Sequence, residues 1–183
     1  MLALLRDSQG FSLIELLVGI VIIAILASVG APSLMTWIQN SQLRTASETI
    51  LNGLQLARAE AVQRNTNVLF SLNGVSNIDS SWTVCLPDPL NPGTCSATTI
   101  QSRNGTEGTT YANINADVQT VGFNGLGRAT NAMKIHVTPP VGGSTCQALG
   151  GPMRCLDIVV ASPGGQILMC NPAFHRSSNP QGC

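Results

Sequence analysis

The stretch GFSLIELLVGIVIIAILASVGAP, Gly10 to Pro32, decides the fold. It holds one acid, Glu15, and no further charge appears until Arg44. Leu16 to Ala31 alone approaches the roughly 20 apolar residues with which a helix crosses a bilayer. A carboxylate carried to mid-membrane costs about 2.5–3.5 kcal/mol, so Glu15 calls for a partner or a task. Two simpler assignments leave it without one. An ordinary secretory signal fits the small residues near Ser28 and Gly30, but not Glu15 inside the apolar stretch or Pro32 just after it. A plain single-span anchor has no use for Glu15 or for the Gly10–Phe11 junction.

The remainder has room for one modest domain, since the whole chain has 183 residues. Charged residues are 10% of the sequence, against a typical quarter, and the formal net charge is zero. Beyond the anchor the chain is rich in Gly, Ser, Thr, Asn and Pro, which suits an extracytoplasmic β-rich domain and does not indicate a nucleic-acid binder. All six cysteines, Cys85, Cys95, Cys146, Cys155, Cys170 and Cys183, follow the apolar run. An even count on one side of a membrane span points to disulfides in an oxidising space, with fifteen pairings open. The sequential set, Cys85–Cys95, Cys146–Cys155 and Cys170–Cys183, closes short loops rich in Pro and Gly and is the one expected. A zinc site has less support, because there is no C-x-x-C and His136 and His175 stand at no usual ligand spacing. Arg6, offset by Asp7, points weakly to a cytoplasmic N-terminus.

Pro32 lacks an N–H and is expected to kink or loosen the helix there. Leu43, Ala46, Ile50, Leu54, Ala57 and Ala61 then recur at steps of three and four, the stripe of an amphipathic helix packed on a core. Glu60 and Arg64 are placed for an i, i+4 pair, Gly53 weakens the middle, and Asn65 is the expected stop. Short runs between turn residues follow. Val68–Leu72, Trp82–Leu86, Val118–Phe123, Met133–Val137, Leu156–Ala161 and Gln166–Cys170 read as strands, with Pro87–Cys95 and Pro139–Gly151 as loops. A long helix followed by several strands predicts an α+β fold, with antiparallel sheet packed on the helix stripe.

The GFSLIE string resembles the prepilin signature of type IV pilins and of type II secretion pseudopilins. Three further stretches resemble the GspH/FimT branch: Ala57-Arg58-Ala59-Glu60-Ala61-Val62-Gln63-Arg64-Asn65 at the helix end, Phe123-Asn124-Gly125-Leu126-Gly127-Arg128, and the tail from Gly164 to Asn179-Pro180-Gln181-Gly182-Cys183. The resemblance implies a type IV pilin fold, with a leader over 1–10, a transmembrane and filament-core helix over 11–38, and a head over 39–183. It implies cleavage after Gly10 by prepilin peptidase, methylation of the Phe11 amine, and a role for Glu15 in assembly as partner of that amine. The implied protein is a minor pilin of a type IV pilus. It sits first in the inner membrane, with a cytoplasmic N-terminus and periplasmic head, and then in the fibre among other major and minor pilins. A GspH-type pseudopilin of type II secretion fits the same leader and helix; the cysteines and the Asn-Pro-Gln-Gly-Cys end favour the pilus.

An enzyme is not expected. No serine has a His and an acid at a recognisable spacing, and Gly122–Gly127 lacks the lysine of a phosphate loop. His136 alternates with Ile135 and Val137 as a strand-surface residue would, and His175 lies in the tail. No metal or cofactor is expected either. Some FimT-type pilins bind DNA through Gly-Arg-x-Arg, where this chain has Gly165-Gln166-Ile167-Leu168 without either arginine. DNA is therefore a possible but unfavoured partner, with Lys134, Arg154 and Arg176 as the cations that would make weak contacts.

Overall fold

The computed structural model describes residues 11–183 apart from 75, 77, 107, 141 and 142. Gly10 and the leader segment 1–10 lie outside the described residues. Helix α1 runs Leu13–Arg64, and eight strands follow: β1 Val68–Leu72, β2 Trp82–Pro87, β3 Cys95–Arg103, β4 Asn113–Ala116, β5 Thr120–Phe123, β6 Met133–Thr138, β7 Leu156–Ala161 and β8 Gln166–Cys170. A short 3-10 turn, Gln147–Leu149, interrupts the loop before β7. The chain divides into two compact units, one ending at Trp37 and the other running Ile38–Cys183.

In the first unit the large apolar side chains of α1 are exposed on every side. Leu13, Ile14, Leu16, Leu17, Ile20, Val21, Ile23 and Leu26 all face out. The backbone is helical at Pro32, whose side chain lies outside the described residues. Among the described residues no single helix is long and apolar enough to cross a membrane; Leu13–Ser28 and Ser33–Arg64, bent at the break between them, are so together by length and composition.

The second unit is built on the stripe. Leu43, Ala46, Ile50, Leu54, Ala57 and Ala61 are fully buried, each side chain of Leu or Ile size contributing about 1.5–3 kcal/mol. Two polar residues flanking the stripe, Ser47 and Thr49, are buried without an unmet hydroxyl: Ser47 Oγ donates to the Leu43 carbonyl at 2.9 Å and Thr49 Oγ1 to that of Ala46 at 2.9 Å. The helix stops where Asn65 takes a left-handed φ of 50°. The Thr66 N–H then donates to the Ala61 carbonyl and the Asn65 N–H to that of Val62, the two bonds of a Schellman end.

The strands form two four-stranded sheets, ordered β3-β2-β1-β5 and β4-β6-β7-β8, every pairing antiparallel. Phe70, Val84, Val121 and Phe123 from the first and Ile114, Ile135, Val137, Ile158 and Val160 from the second share one buried cluster with the helix stripe. Two of the eight strands, β3 and β4, were not expected from the sequence, and β5 begins at Thr120 rather than Val118. Both unexpected strands are sheet edges. Along CSATTIQSR most side chains are exposed, so no apolar alternation marks β3, and NINA is only four residues long.

Gly53 is a contact as well as a weak helix former. A Cβ there would stand 2.8 Å from the Phe70 ring and 2.9 Å from the Trp82 ring, whose centroids are 5.9 Å apart. Replacing it with Ala recovers about 1 kcal/mol of helix propensity but overpacks the helix–sheet seam by about 1–3 kcal/mol. Gly53→Ala is therefore expected to lower the midpoint of urea unfolding, and an unchanged or raised midpoint would show that the rings yield freely.

Candidate functional site

Helix α1 begins with reciprocal capping. The Glu15 N–H donates to Ser12 Oγ at 3.3 Å, and Glu15 Oε2 lies 3.5 Å from the Ser12 N–H. Ser12 and Glu15 thus form the S-x-x-E capping box, in which two otherwise orphaned backbone donors are satisfied by each other's side chains. The sequence displayed that signal, but the acid was read only for its charge. The positive end of the helix dipole favours a carboxylate at the same place. Phe11, one residue further out, is 88% exposed. The carboxylate therefore lies beside the backbone N–H of Ser12, the residue that follows Phe11.

The three disulfides join Cys85 to Cys95, Cys146 to Cys155 and Cys170 to Cys183, with Cα separations of 5.5, 5.5 and 5.1 Å. These separations are ordinary for such bonds, and no cysteine among the described residues is free. The first ties β2 to the edge strand β3. The last closes the tail, where the Asn171 N–H donates to the Gln181 carbonyl at 2.7 Å and the Cys183 N–H to that of Phe174 at 3.2 Å. The Gly125–Arg128 turn is held by Asn124, whose Oδ1 accepts from Leu126 and Arg128 N–H at 3.0 Å each. Gly127 and Gly165 both take left-handed φ, and a side chain at Gly165 would run into the Gly127 carbonyl. The Gly-Arg turn and the β7–β8 turn are packed together on that account.

The cations proposed for DNA contact are not one cluster. Lys134 and Arg176 line a cavity of about 390 Å³ with Val159, Leu168, Pro180 and Cys183, and Arg154 is not among its lining residues. The Arg154 N–H instead donates to Asn40 Oδ1 at 2.7 Å, as the Tyr111 N–H donates to Gln42 Oε1 at 2.9 Å. Lys134 Nζ is 3.2 Å from Oδ2 of Asp157, a carboxylate only 2% exposed, whose Oδ1 is 2.8 Å from His136 Nδ1. His136 is opposite Asp157 in the β6–β7 register, so it is a strand residue in a cross-strand pair. A second, more open cavity of about 600 Å³ lies on the helix between Gln55, Arg58, Val62 and Ile167; Arg58 had not been read from the sequence as a site residue. Ion pairs hold two further arginines on α1, Arg44 to Glu48 and Arg64 to Glu60, each at 2.7 Å. Glu48 raises the Arg44 guanidinium above its ordinary range, first by that hydrogen bond and then by Coulombic attraction.

Residues 46–165 match the family model of the type II transport protein GspH, and residues 5–31 match the prokaryotic N-terminal methylation motif. Two crystal structures of the type IV minor pilin FimU from Pseudomonas aeruginosa have the same fold. One has a TM-score of 0.57 at 15% identity, covering 80% of this chain and 98% of that one. The other has a TM-score of 0.53 at 17% identity, covering 76% and 98%. The minor pseudopilin EpsH from the type 2 secretion system of Vibrio cholerae stands at a TM-score of 0.46 and 10% identity, covering 73% and 99%. No curated protein matches the chain. The α+β architecture is thus that of a type IV pilin, with a long N-terminal helix packed on antiparallel sheets. The chain belongs to the GspH family. It is accordingly a minor pilin or pseudopilin, a subunit of a type IV pilus or a type II secretion system.

The tail staple has a measurable consequence. Replacing Cys170 and Cys183 together with Ser is expected to cost about 2–4 kcal/mol and to expose the 171–183 segment to protease before the rest of the head. Unfolding midpoints and limited proteolysis check both; a tail that stays protected would assign its order to the Asn171 and Phe174 hydrogen bonds alone.

Proposed function

We propose that the chain is a minor pilin of a type IV pilus, cut between Gly10 and Phe11 by prepilin peptidase and N-methylated on Phe11. Residues 11–38 anchor it in the inner membrane as a single span, with the 39–183 head on the periplasmic side, until it enters the fibre among other pilins. The observation that carries this reading is the start of α1, where the Glu15 carboxylate is held 3.5 Å from the Ser12 N–H beside an exposed Phe11. Cleavage would turn the Phe11 nitrogen into an ammonium. In a bundle of apolar helices neither charge can be left alone without a penalty of several kcal/mol, and pairing them between stacked subunits offsets it. The same helix thus serves as anchor before assembly and as filament core afterwards.

The GspH family match supports a second reading, a pseudopilin of a type II secretion system, which would use the same helix chemistry. Gene neighbours separate the two: minor pilin genes favour the first reading, a secretion operon the second. DNA capture draws support from the shared cavity of Lys134 and Arg176. It is disfavoured by Gln166 and Leu168 at the family's arginine positions.

Mass spectrometry of the membrane-extracted protein should find an N-methylated Phe11; an N-terminus at Ala31 or an intact Met1 would sink the reading. Glu15→Gln keeps a side chain able to complete the capping box while removing the charge. Its membrane insertion should hold or improve, and its incorporation into fibres should fall as far as that of Glu15→Ala. Normal incorporation of Glu15→Gln would make Glu15 a helix cap and nothing more. In a gel shift at physiological salt, DNA binding should be weak and should fall steeply as salt rises. Tight binding lost on replacing Lys134 and Arg176 would promote DNA uptake to the first reading.

A further inference from the structure

The apolar exposure of α1 has a sharp end. Leu34, Met35, Trp37 and Ile38 are exposed, and the next large apolar side chain exposed on the helix is Val62. Polar Gln39, Asn40, Ser41 and Gln42 follow Ile38, and Asn40 and Gln42 accept backbone N–H groups from the head's loops. The change of surroundings therefore falls at Trp37 and Ile38, where the two compact units also divide.

Trp37 differs from its apolar neighbours. It is 70% exposed, and its indole joins a large apolar ring to an N–H that hydrocarbon cannot satisfy. Such side chains collect at the headgroup level of a bilayer. The helix path from Glu15 to Trp37 is roughly 33 Å at 1.5 Å per residue. The hydrocarbon core is about 30 Å thick, and the bend at the break before Ser33 shortens the direct distance toward that value. The anchor's one acid and its one tryptophan bracket a span of bilayer thickness.

We infer that, before assembly, Trp37 lies in the outer headgroup layer of the membrane with Glu15 at the opposite boundary, and that Trp37 sets the depth at which the head is held. This rests on the membrane anchoring proposed above. Glu15 at a boundary can turn its carboxylate toward water, which removes most of the cost of a charge at the bilayer centre. The head then begins within one turn of the lipid surface, with no spacer between them.

The test is Trp37 fluorescence of the full chain in phosphatidylcholine vesicles carrying bromine either near the headgroup or near the chain ends. Trp82 is 4% exposed in the head core, and Trp82→Phe silences it while keeping a ring against Phe70. Should that variant misfold, the difference between wild type and Trp37→Phe isolates the same signal. Trp37 emission should be quenched more strongly by the shallow bromines than by the deep ones, and only partly by aqueous iodide. Stronger quenching by the deep bromines, or full access to iodide, overturns the inference while leaving the anchor intact. Blue-shifted emission untouched by either bromine would mean that Trp37 is covered by protein, which overturns it as well. A chain that fails to enter the vesicles at all overturns the membrane reading together with this one.

Discussion

One helix has to meet two surroundings, and every other feature is arranged around that demand. A backbone passing through hydrocarbon must satisfy its own N–H and C=O groups, and a helix does so without help from water or from another strand. The first part of α1 can therefore be apolar on all sides. The second part belongs to a folded head, where only a stripe can be apolar and the opposite face must be wet. Helix α1, bent near Pro32 but running from Leu13 to Arg64, joins these regimes in one element. Both sheets then close over the stripe from Leu43 to Ala61, so the spine of the head is the continuation of the anchor.

The N-terminal end of that helix shows how one side chain meets several needs at once. Glu15 completes a hydrogen-bond cap with Ser12, opposes the positive end of the helix dipole, and stands beside Phe11. The first two interactions exist within the isolated chain. They hold the carboxylate at the end of the helix, beside the Ser12 N–H. In the assembly proposed above, the acid would need no rearrangement, only the arrival of the opposite charge.

What the sequence displayed was whatever repeats. The stripe from Leu43 to Ala61 was legible because burial on one helix face imposes a period, and all six of its residues are buried. Strands β1, β7 and β8 were legible to the residue, since apolar runs between turn residues mark them. Strands β3 and β4 were not: most side chains of β3 are exposed and carry no apolar alternation, and β4 is only four residues long. Gly53 was legible as a weak helix position but not as a contact, since its partners Phe70 and Trp82 come from strands that meet it only after folding. The Gly-Arg turn was noticed as a motif, yet its physical reason is a meeting of distant backbones, Gly127 against Gly165, which no local pattern encodes. Of the candidate site, the Glu15 charge and the S-x-x-E spacing that caps the helix both stand in the sequence, while the separation of Arg154 from Lys134 and Arg176 came only with the fold.

The head's electrostatics follow from the same economy. Charged residues are only 10% of the chain, and several are spent locally: Arg44 on Glu48, Arg64 on Glu60, Lys134 on Asp157. The last of these is decisive for a polyanion. Asp157 is buried, so drawing Lys134 away to a phosphate leaves that carboxylate with His136 as its cross-strand partner and part of its charge uncompensated. Arg176 is then the only cation of that cavity free of this cost. Counterion release contributes in proportion to the phosphates neutralised, with a salt slope of about 0.9 per contact on duplex DNA. The one or two contacts that this cavity offers therefore contribute little at physiological salt. A surface whose polar groups are largely uncharged and whose loops are closed by disulfides is better matched to neighbouring heads, where shape fixed in advance counts for more than long-range attraction.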